Sequence, residues 1–384
     1  MIGAASMDAF QHVTEARHRS WATVLALLTL LVALGSRAVA MEPPRVDQKA
    51  FLTRAVFVDG RLWLLTDAGE LSSIAEGGDR RIDEALPEPV NDICIHQGKL
   101  LALSCAREDC AQGTLRRQDN QTWTISARFP TGHEHVIALG CDREAIDVLT
   151  DRRLIEVKGD DIRSVELSER LNLSSVAAVH DMPDGIFVGF NAGEWGGGLQ
   201  RIDRQSGKVR TIASNLSGDL CGGPLNTDCD PINSIVTSPW NDRCVVAAIG
   251  LVHFLPHGRV VEVCGRFVRR LYFSAYKMQG IDEPPSKHSY EPFSLGKILE
   301  NEPHSTTAFY GLLARGDALW AIGIDGLYKI DRDGSAEITP IPEFREIGGV
   351  HVSFDLADMI LVLTQVNQRR SVGGAVPLLV PRQP

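Results

Sequence analysis

The sequence predicts an all-β chain wound as a β-propeller, most simply of seven four-stranded blades. Three observations predict it. Short apolar runs recur at a spacing of about 40 residues, the length of one four-stranded blade. Turn residues rich in Gly, Asp and Asn separate those runs. Beyond residue 40 no stretch carries the three-and-four spacing of apolar residues that an amphipathic helix needs.

The second strand of each unit is the plainest. In chain order the runs are Leu62-Trp63-Leu64-Leu65, Leu100-Leu101-Ala102-Leu103, Ala145-Ile146-Asp147-Val148-Leu149 and Ile186-Phe187-Val188-Gly189. They continue as Cys244-Val245-Val246-Ala247-Ala248, Leu319-Trp320-Ala321-Ile322 and Met359-Ile360-Leu361-Val362-Leu363. A tight-turn signal precedes most of them: Asp59-Gly60, Gln97-Gly98, Asp184-Gly185, Asn241-Asp242 and Arg315-Gly316. An apolar partner lies just upstream, as at residues 55–58, 136–139, 176–179 and 350–354. Apolar runs without alternation fit strands covered on both faces, as inner strands of stacked sheets are. Units four and five are longer, and the excess falls in loops. The last unit has room for three strands, ending at residues 375–380, and residues 45–51 are expected to supply its fourth. That exchange closes the ring and leaves few exposed sheet edges. Counts of six or eight blades fit the same pattern.

One unit carries a known repeat. Gly316-Asp317-Ala318-Leu319-Trp320-Ala321-Ile322-Gly323-Ile324-Asp325-Gly326-Leu327-Tyr328-Lys329-Ile330-Asp331 resembles the blade of two-component-regulator propellers, in which a Leu-Trp strand leads to Gly-Leu-Tyr. Asp59-Gly60-Arg61-Leu62-Trp63 echoes its first half. The repeat grammar runs through residues 41–384, but the distinctive residues occur in these two units only. The resemblance implies a propeller and says nothing of catalysis. No kinase or DNA-binding sequence occurs in these 384 residues, so the signalling context of that family is not carried over.

Ahead of the repeats, Arg17, His18 and Arg19 precede a 14-residue, almost wholly apolar run at residues 21–34. Gly35, Ser36 and Ala38-Val39-Ala40 follow, so a basic flank, a short apolar segment and small residues come in the order that a signal peptidase reads. A bilayer-spanning helix needs about 20 apolar residues. Residues 1–40 are therefore expected to be a signal peptide, with an uncleaved anchor as the alternative, and the mature chain to start near Met41 without stable membrane insertion. Secretion or a periplasmic location follows. The eight cysteines, with no CxxC spacing, then read as disulfides and not as zinc ligands. Cys105 with Cys110, and Cys221 with Cys229, are near enough to close small loops; the remaining connectivity stays open. A formal charge of −10 argues against nucleic acid as a partner.

Two stretches stand apart from the repeat. In Gly189-Phe190-Asn191-Ala192-Gly193-Glu194-Trp195-Gly196-Gly197-Gly198, glycines surround an acidic and an aromatic side chain. Such a loop can hold unusual backbone angles and present Glu194 and Trp195, beside Asn191, to a ligand; a wide turn with Trp195 packed on the next blade is the alternative. The second stretch runs from Cys221 to Asn233. Its Asn226, Asp228, Asp230 and Asn233 are hard oxygen donors of the kind calcium prefers, although the spacing is not that of an EF-hand and Asx residues are common in turns. Residues 274–306 form the longest connection, and Lys287, His288 and Tyr290 there fit a lid or an ordinary excursion. His253 and His257 are expected to be turn residues, because Pro256 and Gly258 break any helix. His133-Glu134-His135 is expected to be solvated loop.

Two readings of function remain open. In the first, top-face loops of blades four to six bind a small molecule, glycan or protein, with Asn191, Glu194, Trp195, Asn226 and Asp228 as the contacts. In the second, the protein is a calcium-dependent hydrolase or lyase, with Asn91, Asp230 and Asn233 at the metal. Asn91 and Asn233 start equivalent inner strands, similar in outline to calcium-dependent propeller lactonases, whose full ligand set is not matched here. In a propeller, the loop after a blade's second strand lies on the same face as the connection to the next blade. The three unusual segments are therefore expected to meet on one face.

Overall fold

A computed structural model of the chain describes residues 50–381 except 79, 106–109, 120–121, 142–143, 214–222, 254, 277–304, 343–349, 355–358 and 365–377. The strands form seven antiparallel sheets in chain order, at residues 52–84, 90–130, 136–166, 176–212, 232–272, 309–340 and 350–381. Six sheets have four strands and the seventh has three among the described residues. Its third strand, expected at 375–380, is observed at Leu378–Pro381. Most of the segment expected to complete it (45–49), like the expected signal peptide at 1–40, lies outside the described residues. No helix among the described residues is long and apolar enough to cross a membrane.

Each innermost strand packs on the innermost strand of the next sheet, and Leu52–Val58 packs on Val350–Ser353, so the seven blades close a ring. The core follows that geometry, with one apolar cluster at each of the blade interfaces. Trp63, Leu65, Ile93 and Leu100 fill the space between blades one and two, and Leu52, Leu64, Leu361 and Leu363 fill that between blades one and seven. A sheet between two neighbours is buried on both faces, which explains the unbroken apolar runs: every residue from 244 to 250 is buried. Each such Leu, Ile or Val contributes about 1.5–3 kcal/mol on removal from water. The residues that carry the family resemblance are part of this packing. Trp63 is buried edge-to-face on Trp123, and Tyr328 is buried against Phe309, with ring centroids 5.1 Å apart.

A β-bulge recurs near the start of the innermost strand in six blades. The pairing register steps over Thr53, Asn91, Ile137, Ala177, Asn233 and Tyr310. A bulge takes one residue out of the ladder and re-aims its side chain. At Asn233 the freed side chain donates through Nδ2 to Gly250 O of its own blade at 2.7 Å and to Phe309 O of the adjacent blade six at 2.9 Å. The residue after the bulge also joins blades. Asp92 Oδ2 accepts the Leu139 amide of blade three at 2.9 Å, and Ser234 Oγ accepts the Leu312 amide of blade six at 3.1 Å.

Three disulfides lie among the described residues. Cys105–Cys110 closes the short loop expected from its spacing. Cys94–Cys141 ties blade two to blade three, and Cys244–Cys264 bridges two strands of blade five. Cys229 is disulfide-bonded, while its expected partner Cys221 lies outside the described residues. Such a set of bonds persists in oxidising compartments. Glu134 corrects the expectation of a solvated loop. It is buried, accepting Arg153 Nε and Thr150 Oγ1 at 2.7 Å each, because Arg153 supplies the charge that makes its burial tolerable.

Candidate functional site

The glycine loop follows the second strand of blade four, Gly185–Asn191. Asn191 Oδ1 accepts the Gly193 amide at 2.8 Å and starts a tight 3-10 turn at Gly193–Trp195. Gly196 then takes φ +91°, and a Cβ there would stand 2.6 Å from the carbonyl carbon and oxygen of Asp228. Only glycine tolerates both the angle and the contact. The Gly197 amide donates to Thr227 O at 3.0 Å, and the Gly198 amide donates to Asp230 O at 2.8 Å. The loop therefore lies directly on residues 226–230, the connection to blade five. Its backbone is spent on these bonds, and Trp195 is left 80% exposed.

Residues 226–230 are wound around two buried side chains. Asn226 Oδ1 accepts the Asp228 amide at 2.9 Å, and the Asn226 amide donates to Asp230 Oδ2 at 2.6 Å. Asp230 is fully buried against the buried guanidinium of Arg259, whose Nε also donates to Pro224 O at 2.9 Å. Arg259 Nη1 lies 3.1 Å from His257 Nε2. Asp228 is exposed, and no ion pair or side-chain hydrogen bond engages its carboxylate among the described residues.

The third wall is a hairpin of blade five, Asn241–His253 and Leu255–Cys264, longer than its counterparts. Pairing continues through Leu251↔His257, Val252↔Pro256 and His253↔Leu255. His253 and His257 are thus strand residues, which corrects the expectation of a turn. Pro256 interrupts a helix but fits here, where its carbonyl accepts the Thr306 amide at 3.0 Å. Cross-strand partners point to one side of a sheet, so Leu251, His253, Leu255 and His257 share a face. That face meets blade four: His253 Nδ1 lies 2.9 Å from Glu194 Oε2, and His257 Nε2 lies 3.5 Å from Asp230 Oδ1. Along the edge of the hairpin, Ser305 Oγ donates to Pro256 O at 3.1 Å and Thr306 Oγ1 accepts the Gly258 amide at 2.9 Å. Two of the three unusual segments, 191–198 and 223–233, lie against each other; of the third, residues 305–306 border the hairpin of blade five and 277–304 lie outside the described residues.

Glu194, Trp195 and Asp228 are brought together and exposed, with Leu255 close by at 45% exposure. Asn226 is buried beneath them. Asn191 lies at the base of the loop, where its Nδ2 donates to Asn233 Oδ1 at 2.6 Å. The three metal candidates have different surroundings. Asn91 sits on blade two, its Oδ1 buried without a hydrogen bond. Asn233, on blade five, spends its oxygen on Asn191. Asp230 faces a guanidinium, whereas calcium takes six to eight oxygens free of a resident cation. Sequence reasoning missed His253, Leu255 and His257. Their signal was the length of that second strand, 13 residues against 5 to 7 in the other blades.

No protein-family model and no curated protein sequence matches the chain. Solved propellers do. The extracellular domain of the putative hybrid two-component system BT4673 from B. thetaiotaomicron has a TM-score of 0.49 and 13% identity, covering 88% of this chain. This chain spans only 39% of that one. YCF48 bound to D1 peptide has a TM-score of 0.52 and 10% identity, over 88% of this chain and 94% of that one. The computationally designed Ika8 protein has a TM-score of 0.47 and 11% identity, over 88% and 99%. At such identities the likeness is one of fold. The chain is a disulfide-bonded β-propeller.

Proposed function

We propose that this is an exported binding module whose top face, over blades four and five, takes a segment of another polypeptide. The observation that carries the reading is Trp195. A tryptophan that large is rarely left 80% exposed, and here a loop with no spare backbone freedom holds it there. An exposed Trp with an apolar neighbour at the centre and charged residues at the rim is the make-up of an interface. Leu255 and the Glu194–His253 pair supply those neighbours on a second rigid element. Asn191 and Asn226 shape the surface from below, and Glu194, Trp195 and Asp228 touch the ligand. The fold is compatible with such a role, since the propeller of YCF48 is described with a bound peptide. The disulfides agree with a secreted or periplasmic protein.

Selection of a displayed random peptide library on the full chain tests this. Peptides that bind wild type and lose binding to Trp195→Ala, with an unchanged melting temperature, are expected. Selected peptides that bind Trp195→Ala equally well would place the binding surface elsewhere.

A further inference from the structure

Resting on that reading, we infer that the bound segment presents a basic side chain, arginine or lysine, to Trp195 between the carboxylates of Glu194 and Asp228. Four observations converge on this chemistry. Both carboxylates are exposed and lie on the two segments that flank the indole, one its chain neighbour and the other on the residue whose carbonyl abuts Gly196. Neither residues 191–198 nor residues 223–233 contain a Lys or Arg to neutralise them. The nearby guanidinium, Arg259, is buried and already engaged by Asp230, Pro224 O and Gly223 O. His253 engages Glu194 through Oε2 alone at 2.9 Å.

An exposed indole next to two carboxylates that no Lys or Arg of their own segments neutralises is a receptor for a cation with an apolar stem. The ring face attracts the charge, Trp being the best of the aromatic residues for this. The methylene stem covers the indole edge and Leu255 while the head reaches a carboxylate. The formal charge of −10 acts at longer range in the same sense, drawing basic segments toward the molecule. An acidic or uncharged side chain would leave Asp228 facing it without a cation.

The probe is a blocked Ala-Arg-Ala tripeptide and its citrulline counterpart, which keeps shape and hydrogen bonding but removes the charge. Each is titrated into the full chain while the indole N–H resonances are followed, with Trp195→Phe identifying the signal. The arginine probe is expected to shift the Trp195 resonance saturably. The citrulline probe is expected to bind about fivefold or more weakly, as is the arginine probe with Asp228→Asn, the scale of one or two exposed charge contacts. The melting temperature of that variant should match wild type. Equal affinity for both probes, or no Trp195 shift with arginine, overturns the inference. The two proposals fail separately. Library peptides that require Trp195 but carry no basic residue would leave the peptide-binding reading standing and remove this one.

Discussion

His253 Nδ1 stands 2.9 Å from Glu194 Oε2, so the overlong hairpin of blade five holds the glycine loop of blade four by its acidic side chain. Two elements some 60 residues apart in sequence become one surface through that contact and through the bonds from Gly197 and Gly198 to residues 227 and 230. The predictions below separate what this surface needs from what the ring needs.

Gly196→Ala is expected to damage the site directly. The substitution forces φ +91° on a residue with a Cβ and drives that Cβ to 2.6 Å from the Asp228 carbonyl. Left-handed strain alone costs about 1–3 kcal/mol, so chemical denaturation should show a loss of that order or more. Peptide binding should fall with it, since Trp195 moves. Gly265→Ala, also at positive φ (+62°) but in open space on the opposite side of the blade, should retain binding.

Calcium should be dispensable. Asp230 is paired with Arg259, and Asn233 bonds to Asn191 and to Gly250 O. Chelation is expected to leave both the melting temperature and peptide binding unchanged. A rise in melting temperature on adding calcium to chelated protein would restore a cation to these loops.

Arg204 is expected to matter for stability alone. It is buried between blades three and four, with Asp147 on Nη1 at 2.7 Å, Asp181 on Nη2 and Glu156 at 3.5 Å. Arg204→Met removes the cation that compensates two buried carboxylates, and breaking such a cluster typically costs about 3–5 kcal/mol. Denaturant unfolding should show that loss. Binding by the fraction still folded should be intact, because the cluster lies at the end of blade four away from Trp195.

Much of the ring was legible in the sequence, and the site only in part. Strands such as Leu100-Leu101-Ala102-Leu103 announce themselves because burial on both faces demands apolar residues without alternation. The Gly193–Gly198 loop was legible for a related reason: its glycines answer a backbone need, and backbone needs leave a residue signature. The contacts of the site left none. His253 and His257 are ordinary in sequence, and only the register that carries the hairpin past Gly250 turns both toward blade four. Asn233 advertised oxygen, but the bulge at its position aims that oxygen at Asn191. Arg204 and its carboxylates lie up to 57 residues apart, and nothing local marks them as partners. Pairings set by the ring closing are not encoded by neighbours in the chain.

Stability should fall as the pH drops from about 6.5 toward 4, in part through His351. Desolvation, with help from the nearby charge of Arg54, pushes its pKa down to about 4 from an ordinary 6.5. The unfolded chain therefore binds a proton in that interval that the folded chain refuses, so the contribution is complete above 6.5 and lost as the pH falls through the window. Unfolding midpoints measured across this range should slope less for His351→Gln than for wild type. Identical slopes would show that His351 titrates alike in both states.

The most direct measurement is amide hydrogen exchange of the full chain with and without a library-selected peptide. Protection is expected in three separate stretches at once, residues 193–198, 226–230 and 251–258, which share a surface only in the folded ring. Protection confined to the opposite turns at 238–241 and 264–267, or to the cleft lined by residues 68–71 and 81–90, would contradict the assignment of the binding face to blades four and five.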